Sequence, residues 1–170
     1  MNGARMLRVR FGAAALALAA LLASCATPEA GRPVFTAETH QWSGRIGVVI
    51  DSEPPRQFSA AFDLTGDRDA GELSLTSPLG STIAVLQWKP GAALLRQGDQ
   101  TKSYASLDAL TAAVTGVALP LAALFSWLHG ADAKAEGWRA DLSQQSHGRL
   151  SAYRESPLPV AHLQVVVSQE

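Results

Sequence analysis

One hundred and seventy residues, 47% of them hydrophobic, make room for a single domain and little beyond it. The formal charge is −1 at pH 7, but three of the 14 basic residues stand within the first ten positions, so the chain beyond residue 24 carries 11 basic against 15 acidic side chains, a net of −4. A mildly acidic domain gains nothing from a phosphate backbone, which argues against a nucleic-acid partner, and the lone cysteine, Cys25, excludes an intramolecular disulfide and a cysteine-pair zinc site.

The first segment has the build of a secretory signal. Arg5, Arg8 and Arg10 precede an unbroken run of 12 apolar and glycine residues, Phe11 to Leu22. As a helix this run is too short to cross a ~30 Å hydrocarbon core, and it has the length of a signal-peptide core followed by small residues. It ends in Leu22-Ala23-Ser24-Cys25, which resembles the lipobox of bacterial lipoproteins: an aliphatic residue, two small ones, then cysteine. The resemblance implies removal of residues 1–24 and a Cys25 carrying diacylglycerol on its thiol and an acyl chain on its amine, with no other cofactor. Each buried methylene contributes ~0.8 kcal/mol, so three chains make release into water negligible. Ala26, in place of an aspartate, implies transfer to the outer membrane with the domain facing the periplasm. Residues 25–40 are rich in proline, glycine and small polar residues and predict a flexible tether. The folded domain then occupies 41–170.

From Gln41 the pattern has period two. Trp42, Gly44, Ile46, Val48 and Ile50 share one face of a strand, broken by Pro54-Pro55. Phe58, Ala60, Phe62 and Leu64 form the next, then Leu73 and Leu75 after a turn at Gly66 to Gly71. Ser77-Pro78-Leu79-Gly80 has turn chemistry. Thr82, Ala84, Leu86 and Trp88 alternate again, and Ala92 to Arg96 makes another short strand after Lys89-Pro90-Gly91. Such spacing predicts an antiparallel meander. Two helices follow. Ser106 is a candidate N-cap with Asp108 in the first turn and Gly116 as the stop; Pro120 opens the second, whose Leu121, Leu124, Phe125 and Leu128 lie at helical spacing before Gly130. Strands are expected near Trp138–Leu142, Arg149–Arg154 and His162–Val167. The fold class is α+β, an antiparallel sheet with a helical insertion on one side.

No catalytic constellation emerges, and no enzyme is expected. His40, His129, His147 and His162 lack a paired carboxylate or a second histidine at metal-ligand spacing. Ser43, Ser77 and Ser126 lack glycines on both sides at nucleophile-elbow spacing. The apolar side chains are more informative. Trp42, Ile46, Phe58, Phe62, Leu75, Leu86, Trp88, Leu124 and Trp127 are candidates to fill a core or to line a cavity. Two short helices are expected to cover only part of one sheet face, and a sheet curled into an open barrel can hold a ligand on its concave side.

The order of motifs carries a family resemblance. Trp42-Ser43-Gly44-Arg45-Ile46-Gly47-Val48, Phe58 to Leu64 and Leu73-Ser74-Leu75-Thr76-Ser77-Pro78-Leu79-Gly80-Ser81-Thr82 are followed by Gly116-Val117-Ala118-Leu119-Pro120, Leu124-Phe125-Ser126-Trp127-Leu128-His129-Gly130 and Gly137-Trp138. Together with the lipobox this resembles the outer-membrane lipoprotein receptor LolB family, well over residues 41–138 and loosely beyond. The resemblance implies a curved antiparallel sheet forming an unclosed β-barrel, with the helical insertion covering an apolar cavity. It implies that a LolA-like periplasmic carrier delivers triacylated lipoproteins, which the domain, expected to be a monomer, inserts into outer-membrane lipid. The family ties insertion to a leucine on a protruding loop, which matches Leu79, flanked by Pro78 and Gly80. Leu79 also stands out on physical grounds, because a leucine within a proline–glycine turn is hard to bury. Two departures are visible: a short stretch, Ala131 to Glu136, before Gly137-Trp138, and a closing segment Gln164 to Glu170 without the family's tryptophan. A structural or protein-interaction lipoprotein with a filled core is the alternative reading.

Overall fold

The computed structural model describes residues 40–168. The expected signal, Cys25 and the tether up to residue 39 lie outside the described residues. Nine strands form one antiparallel sheet: β1 (Gln41–Asp51), β2 (Arg56–Gly66), β3 (Gly71–Thr76), β4 (Thr82–Lys89), β5 (Ala92–Gln97), β6 (Gln100–Tyr104), β7 (Trp138–Asp141), β8 (Arg149–Arg154) and β9 (Val160–Val167). Their order is β6-β5-β4-β3-β2-β1-β9-β8-β7, so β6 and β7 are free edges and the barrel-like sheet stays open. Between β6 and β7 come α1 (Leu107–Thr115) and α2 (Leu121–Leu128).

The period-two residues do what their spacing demands. Ile46, Val48 and Ile50 of β1, Ala60, Phe62 and Leu64 of β2, Leu73 and Leu75 of β3, and Ala84, Leu86 and Trp88 of β4 are all buried on one face. All eight expected strands are present, β9 beginning two residues earlier than its pattern suggested. One strand is new. β6 reads Gln100-Thr101-Lys102-Ser103-Tyr104 and is exposed along almost its whole length. A polar edge strand leaves no alternation to detect, and its charge and polarity keep the free edge from pairing with another chain. The available signal is Gly98-Asp99, a two-residue hairpin loop between Gln97 and Gln100.

α1 begins and ends where its caps dictate. The Ser106 hydroxyl accepts the Ala109 N–H at 3.1 Å, and the Gly116 N–H returns to the Ala112 carbonyl. In α2, Leu121, Ala123, Leu124, Phe125, Trp127 and Leu128 are buried, leaving it apolar on nearly every side, as befits a helix inside a core. Thr111 Oγ1 accepts the Leu119 N–H at 2.9 Å, fixing the link between the helices.

The β8–β9 connection is held from two sides. Arg154, 8% exposed, donates from Nε to the Pro157 carbonyl at 2.9 Å and from Nη2 to the Leu158 carbonyl at 3.3 Å. Gly137 has φ +74, and a Cβ there would collide with the Ser156 carbonyl oxygen. Gly98 shares the sign of φ (+56) but has nothing within 4 Å of such a Cβ. Gly137→Ala therefore lowers the unfolding free energy by about 2–4 kcal/mol and Gly98→Ala by about 1 kcal/mol in urea titrations. Equal losses would show that the close approach at Gly137 carries no penalty.

Candidate functional site

The β3–β4 connection is a rigid projection. The Gly80 N–H donates to the Ser77 carbonyl at 2.9 Å, the Ser77 N–H to the Ser81 carbonyl at 2.8 Å, and the Ser81 N–H to Ser77 Oγ at 3.2 Å. Pro78 presets φ at the second turn position. Leu79 follows without a positive φ, and Gly80 takes φ +83, a conformation that favours glycine. This is a three-residue hairpin loop, a type I turn closed by a left-handed residue. Its geometry turns Leu79 outward to 94% exposure, with Pro78 and Gly80 also exposed, so Leu79 does not fold back over the sheet edge.

The inner face is the second part of the site. Ile46, Phe62, Leu75, Leu86, Trp88, Leu124 and Trp127 are buried in one apolar cluster that joins the sheet to both helices. Trp42 and Phe58 are half-buried at its margin. The partial cover expected from two short helices is not what forms. Leu110, Val117, Leu119 and the buried side chains of α2 join the strands in one cluster, and the bent sheet brings Leu150, Leu163 and Val165 of β8 and β9 into it. Helix length alone underestimated the cover because the linker and the sheet's own curvature contribute to it. The aromatic rings mark the contact: Phe125 of α2 lies 5.7 Å from Trp42 and 6.0 Å from Trp88, centroid to centroid.

Where α2 ends, a cleft of about 230 Å³ opens between Trp42, Leu128, Leu150 and Val167, with Gln145, Ser146, Gly148 and Arg149 completing its lining. That is below the ~300 Å³ at which ligand pockets usually begin. The Gln145 amide donates to the Leu128 carbonyl at 2.7 Å, closing the helix C-terminus beside this cleft.

Histidines distant in sequence meet here. His40 and His129 lie 4.5 Å apart edge to face, and Trp42 packs on both. His129 Nδ1 is 2.7 Å from the Phe125 carbonyl oxygen. Among the described residues no group of three histidine, cysteine or acidic side chains is placed to hold a metal ion. The carboxyls held below their ordinary range serve turns. Asp67 accepts the N–H groups of Ala70 and Asp69, and Asp141 that of Ser143. Sequence reasoning also passed over Leu158, which is 79% exposed; its signal is Ser156-Pro157-Leu158, a repeat of Ser77-Pro78-Leu79.

Comparison with known proteins agrees with this architecture. The family model described as "Outer membrane lipoprotein LolB" matches residues 38–165. An outer-membrane lipoprotein LolB of Bordetella petrii is 34% identical over 95% of this chain and 94% of its own length. One from Chromobacterium violaceum is 31% identical over 74% of this chain and 71% of its own. With an open antiparallel sheet, an apolar helix laid on its inner face and a protruding leucine turn, the chain belongs to the outer-membrane lipoprotein LolB family.

Proposed function

We propose that this lipoprotein is anchored to the outer membrane through Cys25, faces the periplasm, receives triacylated lipoproteins from a LolA-like carrier and inserts them into outer-membrane lipid without enzymatic chemistry. The observation that carries the reading is Leu79, 94% exposed on a hydrogen-bonded turn that points it outward. A leucine kept in water forgoes part of ~1.5–3 kcal/mol of burial, which a bilayer restores.

The tether supports this placement. β1 and β3 run in the same direction, so Gln41 and Gly71 start at one rim and Leu79 leaves from the other. β3 has six residues and spans ~20 Å. The 15 residues from Ala26 to His40 reach at most ~50 Å when extended and ~20 Å as a flexible chain. That is enough for Leu79 to touch the bilayer that holds Cys25.

Direction then comes from affinity. The apolar inner face is occupied by α2 at rest, so an incoming acyl chain has to displace those contacts. Its departure lets α2 return and removes the free-energy cost of a cavity. In the bilayer each methylene regains ~0.8 kcal/mol, and release runs downhill.

The same filled inner face favours a second reading, an interaction lipoprotein that binds no acyl chain. Displacement of a fluorescent fatty acid from the soluble mature domain separates the two. Saturable uptake supports the receptor; its absence supports the interaction protein. Mass spectrometry of the membrane-extracted protein is expected to show a chain beginning at Cys25 with three acyl groups, and an unmodified Cys25 would contradict the anchor. Leu79→Glu is expected to leave folding and cargo acceptance unchanged while slowing insertion roughly 10- to 150-fold, the factor that ~1.5–3 kcal/mol represents. Insertion at the wild-type rate would remove Leu79 from the mechanism.

A further inference from the structure

The tripeptide Ser-Pro-Leu occurs in two connections, Ser77-Pro78-Leu79 and Ser156-Pro157-Leu158. Each ends in a strongly exposed leucine, at 94% and 79%. The connections leave the sheet on the same side, because β3 and β8 both run in the direction of β1.

They also share one rim. Thr76, at the end of β3, aligns through Ala61 with Arg45, whereas Arg154, at the end of β8, aligns through Ala161 with Ile50. On the opposite rim Gly71 aligns through Gly66 with His40, and Arg149 through Val166 with Arg45. The offset is five residues at both rims, ~16 Å along the strands. The β3–β4 and β8–β9 connections are four strand spacings apart, ~19 Å along the sheet. Strands tilted by ~40°, as in a barrel, need ~16 Å of stagger over that width to end at one height. The two leucines therefore stand level at the same end of the open barrel.

The second tip is braced. The buried Arg154 guanidinium has loop carbonyls, those of Pro157 and Leu158, as its hydrogen-bond partners, and Gly137 lies against Ser156. Burying a guanidinium without a carboxylate is costly, and here it holds Leu158 outward. Pro157 and Pro159 offer no N–H to desolvate, and the tip from Ser156 to Pro159 is uncharged.

We propose that Leu158 is a second lipid-contacting tip, which with Leu79 seats this rim on the phospholipid surface at two points. The proposal rests on the reading that Leu79 enters the bilayer. The two tips stand ~25 Å apart along the tilted rim, and a fluid bilayer accepts each of them separately. Two contacts also fix the orientation of the rim, since the second engages at high effective concentration once the first is seated.

The test uses the full mature lipoprotein in vesicles of phosphatidylethanolamine and phosphatidylglycerol. With Cys25 blocked by lipid, Leu79→Cys, Leu158→Cys or Lys89→Cys supplies a unique thiol for a nitrobenzoxadiazole probe; Lys89 is exposed at the opposite rim. Probes at 79 and 158 are expected to be quenched by doxyl-labelled lipid several-fold more than the probe at 89. Quenching at 79 with the probe at 158 no better quenched than that at 89 overturns the second tip and leaves the Leu79 reading standing. Failure at 79, whatever happens at 158, overturns both. A probe at 158 that responds only when a LolA-like carrier is added assigns the tip to a protein partner and overturns the lipid contact.

Discussion

An antiparallel sheet that bends but does not close cannot bury its own inner face, and the rest of this structure follows from that constraint. β6 and β7 remain unpaired edges, and the apolar side chains of eight strands point into the space between them. Something apolar has to lie there. The chain supplies α2, whose Leu121, Leu124, Phe125, Trp127 and Leu128 face inward around most of the helix. Such a cover is bound by packing alone, apart from end contacts such as Trp127 Nε1 on the Ala133 carbonyl and Gln145 on the Leu128 carbonyl. Hydrophobic packing is non-directional, so an acyl chain can replace a helix on such a surface. In the proposed role the resting molecule is filled, and cargo exchanges with α2.

The strands with one wet and one dry face were legible because burial writes itself into the sequence at period two. β1 through β4 show this from Ile46 to Trp88. β6 was illegible for the same reason: an exposed edge strand has no dry face to record. The Leu79 turn was readable from local chemistry, proline setting one φ and glycine accepting another. The extent of the cover over the inner face was not, since it depends on how β8 and β9 fold toward α2, a tertiary matter without a local signature. Nor did spacing reveal that His40 and His129 pack together, because they lie 89 positions apart and meet only through the register of β1 and the end of α2. Leu158 repeats the Ser-Pro-Leu pattern, but its role as a tip depends on Arg154 and Gly137, which bind the loop from β8 and from the approach to β7.

The two rims divide the labour of the proposed function. One holds Gln41, where β1 begins, beside Trp42, His129 and the cleft at the end of α2. The other carries Leu79 and Leu158. Between them lies the inner face that α2 covers. The proposed transfer needs no bond making at either rim.

The central claim is that acyl chains are received on the inner face in place of α2, and hydrogen exchange of the mature domain with a synthetic triacylated peptide tests it most directly. The account predicts that the bound peptide speeds exchange across Leu121–Leu128 while the paired amides of β1 and β2 keep their protection. Peptide that binds with the protection of α2 unchanged, or that does not bind at all, would contradict it.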